Sequence, residues 1–137
     1  MFEEHRGQFS PDGHWVTYVS NESGRPEVYV RPFPGPGGQW QVSTSGGIQP
    51  RWSPDRKELY YIAPDAQLMA ASIVVKGPEI DAGVPAALFQ TRVSGGGLNT
   101  YTRPQYDVAR DGRFLVNATT DEGTMSPITL LLNWTPR

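Results

Sequence analysis

One short motif occurs three times along the chain, and this repetition constrains the fold more than any other feature. Phe-Ser-Pro-Asp-Gly at 9–13 recurs as Trp-Ser-Pro-Asp-Arg at 52–56, and Val-Ala-Arg-Asp-Gly at 108–112 is a weaker copy. The aspartates of successive copies are 43 and 56 residues apart, so the second interval carries extra residues. A repeat of this length predicts one supersecondary unit per copy, stacked on its neighbours.

The chemistry of the motif predicts a tight turn. Proline presets φ for the first central position, aspartate hydrogen-bonds its own backbone two residues on, and glycine accepts a positive φ. Arg56 stands where the first copy has Gly13, so the second turn needs a conformation that an L-residue tolerates, or carries strain. The residue before each turn, Phe9, Trp52 or Val108, is expected to end a short inner strand and face the core.

The segments after each turn predict β-strands. Apolar and aromatic residues alternate there with a period of two, as in a strand with one buried face, and no window of helical length keeps a 3.6-residue period. The chain is therefore predicted to be all-β. The predicted strands after the turns are 14–19, 57–62 and 113–117; the next in each unit are 27–31, 68–75 and 128–134; and a fourth occurs twice, at 39–43 and 86–90.

Units of this length with about four strands each are typical of β-propeller blades. The Ser-Pro-Asp-Gly turn, the tyrosine-containing strand after it and the Gly46-Gly47 loop resemble the TolB-type propeller repeat, a relative of the WD repeat. Residues 106–134 resemble the C-terminal end of propellers appended to bacterial serine/threonine protein kinases. The resemblance implies a single partial propeller over 1–137, half of a six-bladed ring, with blades at about 9–47, 48–97 and 98–137.

Composition narrows the functional classes. The net charge of −2 argues against nucleic-acid binding, no apolar run has the length of a membrane helix, and no signal peptide is expected from the first residues. Cysteine is absent and histidine occurs only as His5 and His14, so neither a metal site nor a cofactor is predicted. Nucleophile-elbow and kinase motifs are missing, and the repeated aspartates are interpreted as turn residues; no catalytic residue is predicted.

Candidate binding residues follow from position alone. Propellers usually bind ligands through the loops that enter their innermost strands, here Gly46 to Arg51 and Asn99 to Gln105. Polar, planar and cationic groups in these loops are supplied by Gln49, Arg51, Tyr101 and Arg103. Ordinary solvated loops are the alternative interpretation of the same residues.

The function expected from this resemblance is that of a non-catalytic interaction or ligand-sensing module of a bacterial signalling or envelope protein, with a peptide or protein partner. The alternative is the propeller portion of a prolyl-oligopeptidase-type peptidase or a carbohydrate lyase. Three units predict a homodimer that completes a six-bladed ring, because unpaired sheet edges invite pairing with another chain. Residues 1–8 are expected to add the missing outer strand to the partner's third blade. The sequence indicates no particular compartment.

Overall fold

The computed structural model describes residues 4–34, 37–77, 79–91, 106–111, 113–118 and 128–132, and for 4–7, 116–118 and 128–132 the backbone alone. Within these ranges the chain is all-β, as predicted, and every strand pairing is antiparallel. Among the same residues, no helix has the length and apolar character that would span a lipid bilayer.

The first sheet is built from four strands that are consecutive in the sequence and adjacent in space. They are β1 (Glu4–Phe9), β2 (Trp15–Ser20), β3 (Glu27–Pro32) and β4 (Trp40–Gln41). The Pro-Asp-Gly turn connects β1 to β2, where Phe9 lies opposite Val16. The predicted strands 14–19 and 27–31 correspond to β2 and β3, whereas the predicted strand 39–43 is shortened to two residues.

The second sheet contains one strand that the repeat does not predict. Its strands are β5 (Ile48–Trp52), β6 (Glu58–Ile62), β7 (Gln67–Lys76), β8 (Glu79–Ala82) and β9 (Ala86–Gln90). The first part of β7 pairs with β9, as in the repeat, and its last part continues into a two-stranded ribbon with β8. The ribbon uses part of the extra length that separates the second and third copies of the turn.

The third sheet has the strand order β10 (Tyr106–Val108), β11 (Phe114–Ala118) and β12 (Ile128–Leu132). Phe114 is fully buried and joins this sheet to the second one, with ring centroids 4.9 Å from Tyr60 and 5.6 Å from Phe89 in edge-to-face geometry. Edge-to-face aromatic pairs of this kind stabilise beyond the area they bury.

A single hydrophobic cluster spans the three sheets. Strand β5 lies at its centre, because it contacts β1, β2 and β3 of the first sheet and β10 of the third. The burial predicted for Trp52 is confirmed, since it is in the cluster and 9% exposed; Tyr61 is in the cluster as well, 2% exposed. Fully or nearly fully buried members from the strands on either side are Val28, Val30, Leu59, Ile62 and Leu68.

The structure corrects one expectation about the first strand. Phe9 does not face the core: it is 55% exposed and pairs edge-to-face with Phe33 at 4.8 Å. The reason is the pleat, since Phe9 opposes Val16 and so lies on the face of the sheet away from Trp15 and the cluster. Residues 4–8 belong to β1, which pairs with β2 of the same chain, and the expectation that residues 1–8 add a strand to a partner's third blade stays a prediction.

Candidate ligand-binding cleft

The first Pro-Asp turn is held by a closed set of local hydrogen bonds. The Ser10 hydroxyl donates to Asp12 Oδ1 at 2.5 Å, and the same oxygen accepts the His14 backbone N–H at 3.1 Å. The Trp15 N–H in turn donates to Ser10 Oγ at 3.1 Å. Serine and aspartate therefore satisfy the backbone groups that the tight turn leaves without partners.

The second turn reproduces this arrangement. The Ser53 hydroxyl donates to Asp55 Oδ1 at 2.6 Å, the Lys57 N–H donates to the same oxygen at 3.0 Å, and the Glu58 N–H donates to Ser53 Oγ at 3.0 Å. In the third copy Asp111 keeps the backbone bond, from the Arg113 N–H at 3.1 Å. These bonds confirm that the recurrent aspartates are turn residues.

Backbone conformation distinguishes the second turn from the first. Gly13 has a φ of 76° and Arg56 takes nearly the same value, 65°. Glycine adopts this left-handed region freely, whereas an L-residue with a Cβ is strained there. The sequence analysis gave two alternatives for Arg56, a tolerated conformation or strain, and the positive φ shows that the backbone is strained.

The two turns and the β7–β8 ribbon enclose a cleft of about 530 Å³. Trp15 and Trp52 line it, one from each sheet, and Val75 lines it from the ribbon. The charged residues around it are Asp12, Asp55, Arg56 and Lys57, with His14 beside them. A concave, mainly apolar site with a few polar groups at its edge is the usual form of a small-ligand site.

An ion pair bridges the two turns across the cleft. Arg56 Nη1 donates to Asp12 Oδ2 at 2.6 Å. The hydrogen bond from Ser10 is the largest contribution that lowers the pKa of Asp12 to about 2, followed by the backbone bond from His14, and Arg56 adds to them. The hydrogen bond from Ser53 likewise lowers the pKa of Asp55. Both carboxylates are therefore ionised at neutral pH.

Lys57 is a second cation of the cleft, and its charge helps to lower the pKa of the neighbouring Asp55. Its side chain is exposed, and among the described residues no carboxylate lies within ion-pair distance of its ammonium group. His14 is exposed as well. The cleft therefore presents an ammonium group next to a guanidinium group whose direction is set by Asp12.

The binding residues predicted from loop positions lie elsewhere or outside the described residues. Gln49 and Arg51 are in strand β5, which begins at Ile48, so only the first two residues of the predicted loop from Gly46 to Arg51 lie outside a strand. The Gln49 backbone carbonyl accepts the buried Tyr106 hydroxyl at 2.7 Å, and Arg51 Nη1 donates to Gln8 Oε1 at 2.8 Å. Both residues thus connect the first strands of the sheets. Tyr101 and Arg103 fall outside the described residues.

A second, shallower hollow surrounds a buried carboxylate that the sequence analysis did not single out. Glu27 is 2% exposed; its Oε1 accepts the Ser43 hydroxyl and the Gly46 N–H, the latter at 2.8 Å, and its Oε2 accepts Arg25 Nε at 2.9 Å. These bonds tie the segment that leaves β4 to the start of β3. Both carboxylate oxygens of Glu27 accept hydrogen bonds from within the protein, so this side chain has a structural role.

Comparison with known proteins leaves the cleft as the main guide to function. No protein-family model matches the chain, and no curated protein is significantly similar to it. In the part of the chain that the structure describes, no three histidine, cysteine, aspartate or glutamate side chains are placed to hold a metal ion together.

Proposed function

We propose that this chain is a non-catalytic binding module of the β-propeller type, with the cleft between the first two turns as its ligand site. The observation that carries the proposal is the position of the ribbon: the end of β7, which pairs with β8 to form the ribbon, and the turn after it supply the third wall of the cleft. The ribbon adds Val75 to a site that the repeated turns alone would leave as an open groove.

Two features support the propeller arrangement. Each sheet consists of strands consecutive in sequence, and the first strand of the second sheet, β5, contacts the first strands of both other sheets, β1 and β10. In a propeller, the innermost strands of neighbouring blades line one axis in the same way. The repeated turn and its resemblance to TolB-type repeats support membership of a bacterial signalling or envelope protein.

The state of the polar groups supports binding over catalysis. The hydroxyls of Ser10 and Ser53 donate to aspartates of their own turns, and Asp12 accepts from Arg56. A serine nucleophile needs a base that can accept its proton, and the hydroxyl of Ser10 is directed to Asp12, whose lowered pKa makes it a weak base, rather than to His14. These groups build the site and give it charge.

The cleft is tested by selecting peptides from a random library, displayed with free C-termini, on the immobilised protein. Val75 is 51% exposed, so Val75→Trp fills the cleft without replacing a core residue. Val84→Trp is the matched control, because Val84 is 92% exposed and is not a lining residue of the cleft. We expect peptides that bind the wild type and Val84→Trp but not Val75→Trp. Equal binding to all three proteins, or no enrichment, would overturn the proposal.

We also propose that two copies associate into a six-bladed ring. Three sheets make half of such a ring, and a two-fold axis closes it with one kind of interface. The exposed pair Phe9 and Phe33, on the face of the first sheet away from the cluster, supports an interface there. Light scattering on the 15.1 kDa chain should give twice that mass, and Phe9→Ser with Phe33→Ser should halve it. A wild-type protein with the mass of one chain would refute the dimer.

A further inference from the structure

Arg56 combines a strained backbone with an anchored side chain. Its φ of 65° lies in the left-handed region, where the first copy of the turn uses glycine. Backbone strain of this kind is found where the surrounding structure holds a side chain in a functional position. The ion pair with Asp12 at 2.6 Å uses only one of the guanidinium nitrogens and fixes the group beside the cleft.

The neighbouring groups complete a site with two chemical halves. Lys57 adds an ammonium group that has no carboxylate within ion-pair distance among the described residues, and arginine retains further N–H donors suited to a carboxylate. Trp52 and Val75 supply apolar surface in the same cleft. An anion with an apolar group attached close to it would match both halves.

Asp55 restricts which anion fits. Its Oδ1 accepts the Ser53 hydroxyl and the Lys57 N–H, both within the turn, and its pKa is lowered, so a negative charge stays at the edge of the cleft. A ligand that carried only negative charge would be repelled there. A ligand that also offers an N–H donor near its carboxylate would instead hydrogen-bond the carboxylate of Asp55.

We infer that the cleft binds the C-terminal carboxylate of a peptide whose last residue is apolar. Arg56 and Lys57 take the carboxylate, Trp52 and Val75 take the last side chain, and Asp55 accepts a peptide N–H. Capture of a chain terminus by a small set of donors is a recurring mode of peptide recognition. The inference rests on the proposed binding function, because it assigns a ligand class to the same cleft.

Matched ligands test the charge requirement directly by isothermal titration calorimetry with the full chain. The probes are N-acetyl-alanyl-alanyl-phenylalanine, its C-terminal amide, and 3-phenylpropionate, which keeps the carboxylate and ring but has no peptide N–H. We expect the amide to bind at least about tenfold more weakly than the acid, as for loss of a charged hydrogen bond. We expect 3-phenylpropionate to bind more weakly than the peptide acid.

Matched variants test the residues. Lys57→Met should weaken the peptide acid about tenfold and leave the amide unchanged. Lys76→Met is the control, because Lys76 is exposed on the ribbon, pairs with Asp81 at 3.4 Å and is not a lining residue of the cleft. Circular dichroism melting curves check that both variants fold.

Three results would overturn the inference: equal affinity for acid and amide, equal affinity for the peptide acid and 3-phenylpropionate, or an unchanged affinity in Lys57→Met. Failure here is distinct from failure of the proposed function. If library peptides bind the wild type but not Val75→Trp, and show no preference for a free C-terminus, the cleft remains the proposed binding site and only this ligand class is refuted.

Discussion

Replacing Glu27 tests how the connection between the first two sheets is held. Glu27 is 2% exposed, and each of its hydrogen-bond partners is a donor: the Ser43 hydroxyl, the Gly46 N–H and Arg25 Nε. Residues 43–47 lead from β4 to β5, and the Gly47 N–H adds a bond to the Pro26 carbonyl at 3.0 Å. The carboxylate therefore holds the path by which the chain passes from one sheet to the next.

The magnitude follows from what each substitution leaves without a partner. In Glu27→Gln the amide oxygen can still accept the bonds made to one of the two carboxylate oxygens, but the NH₂ group then faces a donor at the position of the other oxygen. Loss of a hydrogen bond to a charged group costs about 1.5–3 kcal/mol. Arg25 is 55% exposed and turns to water, so its share is small, and we expect a loss of about 2 kcal/mol. Glu27→Ala also leaves the buried donors Ser43 and Gly46 without acceptors, which raises the loss to about 3–5 kcal/mol.

Urea unfolding followed by tryptophan fluorescence measures these losses as changes of midpoint at constant m value. Glu22→Gln is the matched control, because Glu22 accepts a bond from Gln39 Nε2 at 2.8 Å in an exposed position. We expect the control to change the free energy of unfolding by less than about 0.5 kcal/mol. A Glu27→Gln protein as stable as the control would refute the structural role given to this carboxylate.

Three further predictions concern burial and ionisation. Trp52→Ala should lower the free energy of unfolding by about 3–5 kcal/mol through lost burial and a cavity, and a melting temperature within about 2 °C of wild type would contradict the packing described. The pKa of Asp12 is about 2 in the folded chain and 3.8 ordinarily, so its contribution to stability is present above pH 3.8 and is lost as the pH falls towards 2. The stability of Asp12→Asn, measured by urea unfolding, should therefore depend less on pH in that range. Burial, with a smaller contribution from Glu27, raises the pKa of Tyr61 to about 12, so stability is lost as the pH rises from 10 to 12, and Tyr61→Phe should show a smaller loss in the same titration.

Local chemistry explains why much of the fold follows from the sequence. The Pro-Asp turns, the β-strands on either side of them and the burial of Trp52 and Tyr61 all depend on contacts within a few residues or on a period-two pattern. A further copy of the turn, Ala63 to Gln67, has the same bond from the Gln67 N–H to Asp65 Oδ1 at 3.1 Å. The repeated motif predicted all-β architecture because such turns connect neighbouring strands.

Only the tertiary structure decides which strand pairs with which and which face is buried. Period-two alternation leaves open the face on which Phe9 lies, and pairing of Glu4–Phe9 with β2 settles it. The β7–β8 ribbon and the Arg56–Asp12 ion pair join residues that the repeat does not relate. Glu27 reads in the sequence as an ordinary polar strand residue, and its burial depends on donors brought from residues 43–46. The two turns that form the cleft are 44 residues apart where Arg56 meets Asp12, so no local pattern specified it.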